Sequence, residues 1–123
     1  MAKILLIDDD ADFTEAVKIV LERNNYEVVS SMTRESGMEA VQNENPDLTI
    51  LDVMMEQLDD GFTLAHDLRK KEIKTPILML SSVGTVTGMT FDKDSDMVPV
   101  DAFEEKPIRP EVLLNKVKEL LAE

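Results

Sequence analysis

Short apolar runs alternate along this chain with stretches whose apolar residues recur every three to four positions. Residues 3–7 (KILLI) form a continuous apolar run, the pattern of a strand buried on both faces. Phe13, Ala16, Val17, Val20 and Leu21 then fall at i, i+3, i+4, i+7 and i+8, one face of a helix. Asp10 or Asp12 is suited to cap its start, and Asn24-Asn25 to stop it. Residues 26–31 (YEVVSS) predict a second strand. A weaker helix is expected over roughly 34–44, with Met38 and Val41 inward and Pro46 just beyond. Residues 48–51 (LTIL) predict a third strand. Asp59-Asp60-Gly61 signals a turn, followed by a helix from about 62 to 71 with Leu64, Ala65 and Leu68 on one side.

Residues 76–80 (PILML) predict a fourth strand, with proline tolerable at its first position. Residues 101–105 (DAFEE) are poor strand formers. They are assigned a fifth strand because Pro107 and a clear helix follow. That helix has Pro110 near its first position and Leu113, Val117, Leu120 and Leu121 on one face. The alternation implies an α/β domain with a parallel sheet and helices on both faces. Right-handed crossovers make it doubly wound. Ligands in such folds sit beyond the carboxyl ends of the strands.

The chain of 123 residues fits one domain, 1–123, with no linker or internal repeat. It has no cysteine, so disulfides and thiolate metal sites are excluded. The start MAKILLIDDD meets acid too soon for a signal peptide or a membrane span, so a cytoplasmic protein with no membrane partner is expected. The net charge of −13 leaves no basic stripe, and no nucleic-acid partner is expected.

The polar residues just past each strand are informative. The first strand ends in Asp8, Asp9 and Asp10, the third at Asp52, and the fourth in Ser81 and Ser82. Lys106 and Pro107 follow the fifth. Carboxylates, hydroxyls and an ammonium therefore converge on one rim. Clustered carboxylates repel one another, and a hard divalent cation relieves that. With few protein oxygens to offer, the site suits Mg2+ keeping several waters better than a caged Ca2+. Metal, lysine and hydroxyl together would stabilise a transferring phosphoryl group, and a carboxylate can itself accept it.

In this order and at these strand ends, the acidic pair after ILLI, the aspartate in ILDVMM, the DG before the third helix, the serine in PILMLSS and the Lys-Pro after AFEE resemble the receiver domains of two-component response regulators. The resemblance covers nearly the whole chain. It implies a five-stranded parallel sheet in the order 2-1-3-4-5. It also implies a phosphoryl group accepted on Asp52 from a sensor histidine kinase or a His-phosphotransfer protein, and control of a downstream protein partner. Asp9 matches the acid that binds Mg2+ directly, Asp8 the one acting mostly through water, and Met54 the residue whose backbone carbonyl completes the ligands. Ser81 matches the hydroxyl residue that meets the phosphoryl group, Lys106 the lysine that pairs with acceptor or phosphate, and Phe103 the aromatic switch residue. Such a domain is no enzyme beyond its own phosphorylation and slow dephosphorylation. A homodimer on phosphorylation is compatible with the resemblance. A stand-alone receiver is expected, acting through a protein contact or through an effector on a longer parent chain.

The chain departs from the family pattern in two places. Glu56 stands where many receivers have proline, and Gly61 arrives nine residues after Asp52, one later than usual. The stretch from Val83 to Val100 is rich in Gly, Thr and Val at first and is interrupted by Pro99, so the helix between the fourth and fifth strands is expected to be short or missing. Asp92, Asp94 and Asp96 mimic the start of a calcium loop, but Met97 stands where glycine is needed and Phe103 where the bidentate acid belongs. His66, the single histidine, is expected to face solvent. The resemblance also implies that the side chains two residues after the acceptor and two after the serine, here Met54 and Val83, flank the path of the attacking water; both are apolar, which predicts a long-lived phosphoryl group. Three rival functions are an interaction module independent of phosphorylation, a dehalogenase-like phosphohydrolase and a flavodoxin-like electron carrier. The intact acid, serine and lysine set counts against the first. DDDAD lacks the hydroxyl residue that the second needs and the phosphate loop that the third needs.

Overall fold

A computed structural model of the protein describes residues 2–52, 60–82, 101–106 and 108–122; for 60–63, 81, 82, 103, 105 and 106 it describes the backbone. The elements run β1 (Lys3–Ile7), α1 (Ala11–Arg23), β2 (Glu27–Ser31), α2 (Arg34–Glu44), β3 (Leu48–Asp52), α3 (Asp60–Lys70), β4 (Ile77–Ser82), β5 (Ala102–Lys106) and α4 (Pro110–Leu120). All five strands are parallel, in the order β2-β1-β3-β4-β5. This is the doubly wound α/β sheet expected from the sequence. The helix expected to be short or missing falls in 83–100, outside the described residues, as do Met54, Glu56, Val83, Asp92, Asp94, Asp96 and Pro107.

The strand periodicity of two sorts the core into two layers. Ile4, Leu6, Leu48, Ile50, Leu78 and Leu80 point to one face, where α1 brings Val17 and Leu21 and α4 brings Leu113 and Val117. Leu5, Ile7, Leu51, Ile77 and Met79 point to the other, where α2 brings Val41 and α3 brings Leu64, Ala65 and Leu68. The central strands are therefore covered on both sides, which is why they read as nearly continuous apolar runs, with buried Thr49 the polar exception in β3. Each such Leu or Ile side chain stabilises the fold by about 1.5–3 kcal/mol relative to exposure.

Helix starts follow local chemistry. Asp10, not Asp12, caps α1: its side chain accepts from the Phe13 backbone N–H at 3.1 Å. Thr33 and Ser36 form a reciprocal capping box at the start of α2. α3 begins at Asp60, two residues before the expected start, so Gly61 lies in its first turn.

Gly37 sets how closely α2 lies on the sheet. A Cβ there would sit 2.8 Å from Ile7 Cδ1 and 3.0 Å from its Cγ2. Ile7 is β-branched and fully buried, so it yields little. Gly37→Ala gains about 1 kcal/mol of helix propensity against an overpacking cost of about 1–3 kcal/mol. A net loss of about 1 kcal/mol is expected on denaturant unfolding. Adding Ile7→Val should cost less in the Gly37→Ala background than in the parent. Equal costs in both backgrounds would show that the two side chains do not compete for space.

Candidate functional site at the carboxyl rim

The ends of β1 and β3 lie side by side because Ile7 pairs with Leu51. The next residues along the two strands are Asp8 and Asp52. The Asp8 backbone N–H donates to the Ser31 carbonyl at 3.0 Å, so pairing with β2 continues past β1 and keeps Asp8 in line. Ser31 had no role in the sequence reading, although its place at the end of the neighbouring strand was the available signal. Asp8 Oδ1 accepts from the Asp10 N–H at 2.9 Å, which turns the chain into α1. Of three consecutive acids, one is thus turned inward, one is exposed and one caps a helix.

Asp8 and Asp52 are almost fully withdrawn from water, at 1% and 5% exposure, while Asp9 is exposed. Carboxylate oxygens of Asp8, Asp9 and Asp52 nonetheless lie within 4.8 Å of one another. Among the described residues no other set of acids and histidines converges in this way. Asp12 is exposed on α1 and His66 is partly exposed on α3, and neither joins the cluster.

Three anionic oxygens so close repel through a medium poorer in water than the bulk. A hard cation with oxygen ligands is the chemical complement of that arrangement. Oxygens that share one octahedral Mg2+ are about 3–4 Å apart, so side-chain rotation would bring this set onto one ion. The donor set therefore fits the metal that the sequence implied.

The remaining expected site residues are placed by register. Asp52 pairs with Leu80, Met79 with Phe103, Ser81 with Glu105 and Ser82 with Lys106. Ser81 is one step beyond the row of Asp52, and Lys106 ends the next strand over. Phe103 lies earlier in β5. The backbone positions of Ser81 and Lys106 thus lie toward the same edge of the sheet as the acids, and Met54 lies outside the described residues. None of the described helices is long and apolar enough to cross a membrane.

The family model for the response regulator receiver domain matches residues 4–118. The chain is 33% identical over 120 residues to the alkaline phosphatase synthesis transcriptional regulatory protein PhoP of Bacillus subtilis, with 97% of this chain and 48% of that protein covered. It is 34% identical over 123 residues to the DNA-binding dual master transcriptional regulator RpaA of Synechocystis, covering 98% and 49%. Among solved structures, the BeF3-activated N-terminal receiver domain of Klebsiella pneumoniae RstA is 28% identical with a TM-score of 0.80, covering 98% of this chain and 99% of that one.

These relatives overturn one expectation. The high acidity excluded nucleic acid from the partners, yet RpaA is named as DNA-binding and PhoP as a transcriptional regulatory protein. The chain spans about half the length of the curated relatives it matches. A net charge of −13 describes these 123 residues alone and carries no information about the other half of such proteins.

A match that reaches every described strand and helix, on a sheet whose strand order is the one expected, carries one conclusion: the chain belongs to the receiver domains of two-component response regulators.

Proposed function

We propose that the chain accepts a phosphoryl group on Asp52 from a histidine kinase or a His-phosphotransfer protein, in a Mg2+-dependent reaction, and changes conformation to control a protein partner. The observation that carries this reading is the convergence of Asp8, Asp9 and Asp52 at the carboxyl rim. In the transfer, the phosphorus–nitrogen bond of the donor phosphohistidine breaks as an Asp52 carboxylate oxygen bonds to phosphorus. The imidazole nitrogen leaves with the electron pair.

Asp8, Asp9, Asp52 and the Met54 carbonyl would hold Mg2+, which when bound neutralises charge on the acids and on the equatorial phosphoryl oxygens. Lys106 supplies a second positive charge. The Ser81 hydroxyl donates to the phosphoryl group, and Phe103 follows its movement as the switch. The buried setting of Asp52 holds the nucleophile in one orientation and limits the water that competes with it. The likeness to a receiver domain described as BeF3-activated supports the same chemistry, because BeF3 is a tetrahedral stand-in for a phosphoryl group on a carboxylate. The domain works on itself and turns over no separate substrate, and its place is the cytoplasm.

Two outcomes check this reading. Asp52→Asn should remove all acid-labile phosphoryl incorporation from a small-molecule phosphodonor, measured by intact mass, while the far-UV spectrum stays that of the parent. Undiminished labelling of that variant would move the acceptor elsewhere.

The metal assignment has a thermal signature. In chelator, Asp9→Asn should melt at a higher temperature than the parent, because one of three repelling charges is gone. Mg2+ at about 100 times its dissociation constant should stabilise the parent by about 2.7 kcal/mol, and the variant by clearly less. Equal Mg2+ stabilisation in both would place the ion away from Asp9.

A further inference from the structure

Among the described residues β5 is an outer strand of the sheet, paired with β4 alone. Its sequence, AFEEK, has two apolar residues in five, and Ala102 is its one side chain described as buried. Register in a strand is specified by its buried set, and here that set is small. Yet the register decides where Lys106 stands. A slip of two residues keeps every side chain on its face and moves Lys106 by about 7 Å.

Asp101, the residue before β5, supplies what the side-chain pattern lacks. Its backbone N–H donates to the Ile77 carbonyl at 3.0 Å. Its Oδ2 accepts from the Ile77 N–H at 2.8 Å and from Arg69 Nη2 at 2.9 Å. Both backbone polar groups of Ile77, the first residue of β4, are therefore committed to one residue at the start of β5. Arg69 is itself fixed: its Nη1 donates to the carbonyls of Ile73 at 2.8 Å and Thr75 at 3.0 Å. The guanidinium thus ties the end of α3, the loop into β4 and the start of β5 at one point. The pair is partly exposed, at 28% and 44%. As a surface ion pair it adds little stability, so its value lies in geometry.

We propose that Arg69 and Asp101 are positioning residues for phosphoryl transfer: by locking Asp101 onto Ile77 at the amino edge of the sheet, they fix the β5 register that delivers Lys106 to the carboxyl rim. The clamp and the lysine are five residues apart, about 16 Å along the strand. This inference rests on the role given above to Lys106. The metal ligands are carried by β1, β3 and the residues after them, so the clamp acts on transfer and not on cation binding.

The test measures phosphorylation rate with a small-molecule phosphodonor at saturating Mg2+, and Mg2+ affinity separately, on the full chain. Asp101→Ala should slow phosphorylation about 10-fold with unchanged Mg2+ affinity. On a Lys106→Ala background it should slow the reaction no further. Arg69→Lys keeps the charge and loses the forked contact, so it should slow transfer in the same lysine-dependent way, and it serves if Asp101→Ala does not fold. A folded Asp101→Ala or Arg69→Lys labelled at the parental rate overturns the proposal. So does slowing that persists undiminished in the Lys106→Ala background, or a parallel loss of Mg2+ affinity. If Lys106→Ala alone is labelled at the parental rate, the role of the lysine fails first, and the proposal falls with it for that separate reason.

Discussion

Two carboxylates taken almost wholly out of water beside a third set the terms for the rest of this fold. Burying charge costs several kcal/mol per ion even after relaxation, and Asp8 and Asp52 are both withdrawn. That cost falls on β1 and β3, the strands that carry the two acids. Ile4 to Ile7, Leu48, Ile50 and Leu51 are completely buried, between α1 and α4 on one face and α2 and α3 on the other. Dry packing on both faces leaves the strand ends little room to relax the repulsion. A cation would then be met by oxygens already gathered, with little of its binding energy spent on ordering them.

The parallel sheet divides the labour between its two edges. All strands begin at one edge and end at the other, so the residues before the strands and those after them never mix. At the starting edge, charged groups find partners within the fold. The Lys3 backbone N–H donates to Asp47 at 2.8 Å, and its ammonium meets Glu44 at 3.2 Å and Glu27 at 3.4 Å. The hydrogen bond to Glu44 holds that ammonium above its usual range; burial pulls the other way, and Glu27 adds to the rise. Arg69 and Asp101 close the other side of the same edge. Contacts that fix register are thus gathered away from the chemistry, and the opposite rim is left to the acids, Ser81 and Lys106.

Much of this was legible in the sequence, for physical reasons that differ between elements. β1, β3 and β4 announced themselves because a strand buried on both faces is mostly apolar at successive positions, with Thr49 the one polar residue inside the three runs. The acids after β1 and β3 were legible because strand order, once given, brings those ends together. Other features were not. The start of α2 carries a capping box with Ser36 in place of the usual longer acid or amide, so the common signature did not flag it. Gly37 reads as a helix-weakening residue until Ile7 is seen against it. The Asp101 clamp joins residues 24 and 32 positions apart, and no local pattern encodes a contact of that span. The partner expectation failed for another reason, since net charge is a property of the chain in hand and half of each relative lies outside it.

The two places where the sequence contradicts its own local structure both lead to the carboxyl rim. DDD after β1 packs like charge where an ordinary strand-to-helix turn needs one capping residue, and Asp10 alone meets that need. AFEEK makes a strand mostly from residues that disfavour it, Phe103 excepted, under an external lock. Sequences that fold well keep local preference and global structure in agreement, and depart from that where function requires it. The departures here have separate structural remedies: the packed central strands for the acids, the Arg69–Asp101 clamp for β5. Since the remedies share no residue, the acid cluster and the lysine strand can be perturbed one at a time. Under the proposed function, that separability lets cation binding at the acids and the contribution of the lysine to transfer be examined apart.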